Sequence, residues 1–293
     1  MAFTESERNI FSRKGLREAD AMGKVIIITG ASSGMGKVTA KTLIGQGHTV
    51  YGAARRVENM QDLVKMGGHA IGMDITDETQ VKAAVDRVMS EQGRIDVLIN
   101  NAGYAVYGAV EQVPLTDARR QFDVNLFGLA SLTQKILPYM RTQKSGHIIN
   151  VTSIGGKVYT PLGAWYHATK HALEGWSDCL RVETADFGIH VTIVEPGAIE
   201  TEFSDVMSEP MIELSTGGPY EKLAKSIENG NKKYYNGSPS NSPQVIANVI
   251  AKAIKSSKPK TRYAAGKMAK MTLFMRRWLS DKAFDRMLKS MLN

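Results

Sequence analysis

A single cysteine, Cys179, stands in a chain of 293 residues, so neither a disulfide framework nor a cysteine-based metal centre is available. Such a chain suits a reducing compartment, and a cytoplasmic location is expected. The six histidines are scattered without ligand spacing, and no metal site is expected. No stretch approaches the ~20 consecutive apolar residues that a membrane-spanning helix needs. Residues Met1 to Met22 are polar and charged and lack the apolar segment of a secretory signal, so they read as a loose N-terminal extension. Internal repeats, low-complexity tracts and proline- or serine-rich linkers are missing too, which makes residues 23–293 one domain despite a length that could hold two. Lys and Arg exceed Asp and Glu by only eight, enough to draw anions in general but no argument for nucleic acid.

What the chain does contain is an alternation. Short apolar, β-branched runs at about 24–29, 48–53, 69–73, 95–100, 146–152 and 189–195 are separated by helical patterns near 35–46, 58–66, 78–92, 116–141 and 164–187. Parallel strands need crossovers, and helices must cover both faces of the sheet, so the pattern predicts an α/β fold with a doubly wound, Rossmann-type parallel sheet. Arg262-Tyr263-Ala264-Ala265 supplies a seventh strand. In such a fold ligands sit at the carboxyl ends of the strands, where the strand order reverses.

The first strand runs directly into Gly30-Ala31-Ser32-Ser33-Gly34-Met35-Gly36 and then into a helix. Glycines at this turn let a dinucleotide pyrophosphate approach the backbone N–H groups that open the helix, although the spacing is Gly-x-x-x-Gly-x-Gly and not the usual Gly-x-Gly-x-x-Gly. Ser32, Ser33 and Met35 belong to the same candidate cradle. After the second strand, where an acidic residue would hold a free ribose 2′-hydroxyl, stand Arg55 and Arg56. Guanidinium forks suit the 2′-phosphate of NADP(H), with Arg55 as the main ligand and Arg56 in support; NAD(H) is the alternative cofactor, and two solvated arginines opening a loop the bland reading.

Tyr166 and Lys170 lie four residues apart, with Ser153 thirteen positions upstream of the tyrosine at the end of an apolar run. One helical turn brings Lys170 alongside Tyr166, and a nearby ammonium is expected to lower a phenol pKa from its ordinary value near ~10. Ser153 can then hold a carbonyl or alcohol oxygen while Tyr166 passes the proton. Alone, a Tyr and Lys at this spacing more often mean a half-buried ring beside a solvated amine.

Gly30-x3-Gly34-x-Gly36, Asn100-Asn101-Ala102-Gly103, Asn125, Ser153, Tyr166-x3-Lys170 and Pro196-Gly197 occur in this order over about residues 23–265, and together they resemble the short-chain dehydrogenase/reductase family. The stretch Tyr166 to Gly175 further resembles the branch of 17β-hydroxysteroid and retinol dehydrogenase-like enzymes. The resemblance implies Asn125 as a fourth catalytic residue, holding the water of a relay that ends at Lys170, and Lys170 as a ligand of the nicotinamide ribose. It implies a cofactor cleft lined by Asp74, Ile75, Asn101, Ala102, Gly103, Pro196, Gly197, Ile199 and Thr201, and a homo-oligomer. The activity implied is hydride transfer between NADP(H) and a ketone, aldehyde or secondary alcohol. A nucleotide-sensing binding protein on the same scaffold is the alternative from another class.

Between Ile199 and Ser242 turn formers mix with apolar side chains, including Phe203 and Met207, which reads as a substrate lid; two short helices over the core are the plainer account. Tyr104, Val106 and Tyr107, Ile154, Val158 and Trp165 add further apolar surface near the candidate site, favouring a lipophilic small-molecule substrate. Lys157 is the nearest cation for a substrate carboxylate. His167 and His171 are expected to pack or touch substrate. Residues 267–293 form a basic extension in which Met268, Met271, Phe274, Met275, Trp278 and Leu279 recur at helical spacing. Such a helix can lie on a membrane surface, but docking on the protein's own core or on a second subunit is the ordinary account.

Overall fold

The computed structural model describes residues 23–201, 203–235 and 241–292, so the N-terminal extension lies outside the described residues. Seven strands, β1 (Val25–Thr29), β2 (Thr49–Ala54), β3 (His69–Gly72), β4 (Val97–Asn100), β5 (Gly146–Val151), β6 (Ile189–Pro196) and β7 (Arg262–Ala265), form one sheet in the order β3-β2-β1-β4-β5-β6-β7. Every neighbouring pair is parallel. Helices α1 (Gly34–Gly45), α2 (Gln61–Lys65), α3 (Glu78–Gln92), α4 (Leu115–Phe122), α5 (Leu129–Gln143) and α6 (Ala164–Thr184) follow the first five strands. The expected Rossmann-type architecture is therefore present, with strand ends displaced by a residue or two.

Because successive strand residues point to opposite faces, β1 feeds two cores. Val25 and Ile27 pack with Val81, Val85 and Val88 of α3, Leu132 and Ile136 of α5 and Leu180 of α6. Ile26 and Ile28 pack on the other face with Ala40 and Leu43 of α1 and with Ile246 and Ile250 of α9 (Pro243–Lys255). Burial on both faces is why β1 reads as an unbroken apolar run. The order reverses between β1 and β4, and the turns after these two strands therefore face the crevice where a doubly wound sheet binds its ligand.

The long helix expected at 116–141 is not uniform. Between α4 and α5 residues Asp123–Gly128 form a π-helical segment, one wide turn that carries the buried Asn125. Such bulges are frequent at functional sites, and helical periodicity alone does not reveal them. Gly128 sits where any Cβ would lie 2.5 Å from the carbonyl oxygen of Ile75, so the segment presses on the loop after β3.

The lid region forms two helices, α7 (Phe203–Ser215) and α8 (Glu221–Tyr235). Met207, Met211, Ala224 and Ile227 bury a third apolar cluster against Tyr107, Leu162 and Tyr166. The C-terminal extension is a helix pair, α10 (Ala269–Trp278) and α11 (Asp281–Leu292). Phe284 is buried there, its ring 5.3 Å from that of Tyr159, so the inner side of the pair docks on the protein's own core.

Candidate active site

The turn after β1 is built for close approach. Gly30 has φ +70° and Gly34 φ +52°, and a Cβ on Gly36 would lie 2.3 Å from the Gly30 carbonyl oxygen and 2.4 Å from Asn101 Nδ2. Asn101 ties this turn to β4: its Nδ2 donates to the Thr29 carbonyl at 3.0 Å, while the backbone N–H groups of Asn101 and Ala102 donate to Thr29 Oγ1. The result is a glycine-walled notch at the start of α1, where the positive end of the helix dipole and its first N–H groups suit a phosphate. The Cβ direction of Gly34 points at Thr201, which brings the segment after β6 to the same notch.

Arg55 and Arg56 are both exposed at the end of β2. Arg56 Nη2 donates to Ser33 Oγ at 3.3 Å, placing one guanidinium against the glycine turn. Asp74 lies across from Arg55, and hydrogen bonds from Thr76 with help from the Arg55 and Arg120 charges hold its carboxyl below the usual value. Ile75 is buried beside it. These residues fit the adenosine half of a dinucleotide, with cationic forks and no carboxylate at the end of β2.

Ser153 lies two residues beyond β5 in extended backbone, and its Oγ accepts from the Gly155 N–H at 3.0 Å. Tyr166 and Lys170 project from the first turns of α6 and are buried. Ser153 is hydrogen-bonded to Tyr166. The expected effect of Lys170 on the phenol is not found. Burial raises the Tyr166 pKa above 10, the Ser153 hydrogen bond works against that rise, and the lysine is not among the causes of the shift. Lys170 Nζ instead donates to the Val151 carbonyl at 3.1 Å and lies 5.9 Å from the Tyr166 ring centre, while its own burial pulls its pKa down to about 8. One helical turn sets the spacing of two side chains but not where a long amine finds its acceptor.

Asn125 grips both backbone groups of Tyr104, accepting from its N–H at 3.0 Å and donating to its carbonyl at 2.9 Å, and donates to Thr169 Oγ1. A Cβ on Gly103 would meet Asn125 Oδ1 at 3.1 Å and Lys170 Nζ at 3.9 Å. The two polar heads thus converge beneath the bare Gly103 backbone. His167 adds a restraint. The Thr160 N–H can only donate, so Nε2, 3.0 Å away, must accept, and Nδ1 carries the proton given to the Gly155 carbonyl at 2.9 Å. This neutral imidazole, its pKa lowered chiefly by burial, staples the Ser153 loop to α6.

A cavity of about 360 Å³ contains Ser153, Tyr166 and Lys170 together with Asn101, Gly103, Pro196, Gly197, Ile199 and Thr201. Tyr104, Tyr107, Ile154, Val158, His167 and Met207 line it as well. Trp165 does not, because the residue before Tyr166 on a helix points about 100° away. It lines a separate groove with Leu115, Phe122 and Phe127. Val106 is likewise off the wall, its N–H bonded to Gln121 Oε1. The Phe203 side chain lies outside the described residues. Lys157 is engaged, 3.0 Å from Glu174 Oε2, and His171 is exposed on the outer side of α6. Met268, Thr272 and Met275 of the α10 region and Phe284, Met287, Leu288 and Met291 of α11 complete the wall. Of these, only Met268 and Met275 stand out by helical spacing in the sequence, and nothing in the sequence places the helices over the site.

The sequence matches the short chain dehydrogenase family over residues 24–211. The chain belongs to this family. It is 36% identical to the 3-ketodihydrosphingosine reductase of Bacteroides thetaiotaomicron over 259 residues, covering 88% of this chain and 94% of that protein. Among solved structures, a short-chain dehydrogenase from Streptomyces avermitilis is 34% identical, with a TM-score of 0.75 and coverage of 92% and 95% of the two chains. A 3-ketoacyl-(acyl-carrier-protein) reductase from Brucella melitensis, solved with NADH, is 26% identical, with a TM-score of 0.68 and coverage of 82% and 95%. The fold is thus that of an oxidoreductase family whose structures bind nicotinamide dinucleotides. No helix of the described residues is long and apolar enough to cross a membrane.

Proposed function

We propose that this protein is an NADP(H)-dependent reductase of a lipophilic ketone or aldehyde, reversible as a secondary-alcohol dehydrogenase. The observation that carries this reading is the hydrogen-bonded Ser153–Tyr166 pair, set in a largely apolar cavity that also holds Lys170 and reaches Asn101 and Thr201 beside the glycine-walled notch. Bound cofactor would supply the hydride. Arg55 and Arg56 hold its 2′-phosphate, the Gly30–Gly36 turn its pyrophosphate, and Lys170 its nicotinamide ribose. Ser153 donates to the substrate carbonyl oxygen and Tyr166 gives that oxygen its proton. Asn125 and Lys170, converging below Gly103, hold the relay that returns a proton to the phenol. A phenol whose pKa is raised keeps its proton at neutral pH, which suits the acid role in carbonyl reduction.

The apolar wall favours a long hydrocarbon substituent on the substrate, and the name of the Bacteroides thetaiotaomicron relative, a reductase of a 3-keto sphingoid base, supports a long-chain ketone. The exposed Cys179 suits the reducing cytoplasm. Self-association through the Trp165 groove completes the reading.

The test is NADPH oxidation with a panel of long-chain and cyclic ketones, comparing wild type with Tyr166→Phe. Loss of a positioned general acid should lower kcat by roughly 10²- to 10⁴-fold with cofactor affinity retained. Near wild-type turnover in the variant would refute the mechanism. Cofactor binding with no turnover of any carbonyl would favour a nucleotide-sensing binding protein.

A further inference from the structure

Helix α10 has two apolar flanks, and only one of them is covered. Met268, Thr272 and Met275, at i, i+4 and i+7, face the cavity. Met271, Phe274 and Trp278 lie roughly a quarter turn away around the helix, and they are 48%, 64% and 72% exposed. The Phe274 and Trp278 rings stand 6.3 Å apart. Scattered exposed hydrophobics are ordinary, but a ridge of three on one helical flank marks a contact surface.

The segment that carries the ridge is strongly basic. From Lys267 to the end of the chain there are seven Lys and Arg residues against two Asp, which accounts for five of the net eight positive charges. Both carboxylates are engaged: Asp281 lies 2.9 Å from Arg276, and Asp285 accepts from the Tyr159 hydroxyl at 2.9 Å. Arg276 also lies over the rings of Tyr159 and Phe284. Lys270 and Arg277 flank the ridge, while Lys282, Arg286 and Lys289, at i, i+4 and i+7, form an exposed stripe on α11.

We propose that the α10–α11 pair seats the protein on an anionic lipid surface. Met271, Phe274 and Trp278 enter the headgroup boundary, and the five exposed cations meet lipid phosphates and carboxylates. Charge decides the occupant. A second copy meeting this face about a two-fold axis would press the same cations against each other, whereas an anionic bilayer neutralises them while accepting the apolar ridge. Nucleic acid would leave the Met, Phe and Trp ridge unburied. Met291, which lines the cavity and is 63% exposed, places the cavity mouth on the same helix pair, so a lipophilic substrate has a short path from the bilayer. That last clause rests on the reductase reading; lipid binding does not.

The experiment uses the full chain with vesicles of phosphatidylcholine alone or with phosphatidylserine, read by co-sedimentation and by the shift of tryptophan emission. Binding is expected on the anionic vesicles only, weakened by added salt. The emission shift should vanish in Trp278→Phe. Phe274→Ser with Trp278→Ser should lower the partition coefficient at least tenfold, and Lys282→Gln with Lys289→Gln by roughly fivefold per charge removed. All four side chains are exposed, and unchanged thermal unfolding confirms that the variants fold. Tyr166→Phe should bind vesicles like wild type, so a failed reductase assay and failed lipid binding are told apart. No association with anionic vesicles, equal association with neutral ones, or a dimer that the Trp278 change dissolves without any vesicle binding would each overturn the proposal.

Discussion

Beneath the Ser153 loop lies a charge cluster whose removal has a calculable cost. Glu174 is 2% exposed and accepts from Thr152 Oγ1 at 2.7 Å and from Arg262 Nε and Nη2 at 3.2 and 3.1 Å. Arg262 also donates to Asp178 at 2.6 Å and lies 3.9 Å from Glu195, while Lys157 approaches Glu174 from the loop. Arg181 also pairs with Asp178, so three carboxyls share three cations, with Arg262 the one that touches all three. Burial and the neighbouring Glu174 push the Glu195 carboxyl up to about 7, against the pull of Arg262 and Lys157. Arg262→Met removes the central cation, leaving buried Glu174 with only Lys157 and Thr152 and buried Glu195 without the guanidinium 3.9 Å away, a change expected to cost about 3–5 kcal/mol. For a domain of this size that is a fall in Tm of roughly 6–20 °C.

The pH dependence distinguishes this account from simple lost packing. A carboxyl whose folded pKa is raised contributes stability that is complete below about 4.5 and is lost as pH rises through about 7. At pH 5.5 Glu195 is protonated and needs no cation, so the deficit of Arg262→Met should be smaller there than at pH 8. Glu195→Gln should flatten the wild-type stability profile between these values. The assay is urea unfolding of each protein at both pH values. A deficit below about 1 kcal/mol at pH 8, within the range of an exposed pair, or an equal deficit at both pH values would refute the reasoning.

Two further outcomes follow from the same geometry. Arg55→Ala should weaken NADPH binding by about 10- to 150-fold, the worth of a charge-assisted hydrogen-bond pair, and leave NADH nearly unchanged, with a smaller effect for Arg56→Ala; equal loss of both cofactors in titration calorimetry would remove the 2′-phosphate assignment. The Trp165 groove exposes Leu115 and Phe127, each 60%, and holds the buried Trp165 N–H, which has no hydrogen-bond partner among the described residues. A second copy covering it predicts that sedimentation velocity finds wild type as a dimer or larger and Phe127→Glu as a smaller species, and an identical state for both would refute the assignment.

The strands and their order of use were legible because each is a short apolar run whose ends carry the motif residues. Gly30, Asn101, Ser153 and Pro196 all stand at or just beyond a strand's carboxyl end, so locating the strand also located the site. Local spacing was enough for Ser153 and Tyr166, whose separation spans one loop and the start of one helix. It failed where the answer depended on a third body. Lys170 takes the Val151 carbonyl from a neighbouring strand, Lys157 takes Glu174 from α6, and Trp165 belongs to a groove built by α4. The π-helical turn at Asn125 was hidden because it leaves the apolar pattern intact on both sides.

The cavity wall explains why the motifs speak to the reaction and the cover speaks to the substrate. Ser153, Tyr166 and Lys170 come from elements packed on the sheet. The cover comes from α7, α8, α10 and α11, and six of the chain's fifteen methionines, Met35, Met207, Met268, Met275, Met287 and Met291, face inward. Unbranched thioether chains have many rotamers of similar energy, so such a wall conforms to an apolar guest rather than reading its outline. On the proposed reading, discrimination between lipophilic substrates would come from buried hydrocarbon, about 1–3 kcal/mol per methylene. On the proposed reductase reading, strand ends hold the chemistry and a pliable roof sets the selectivity, so one site would accept a homologous series of long-chain carbonyls.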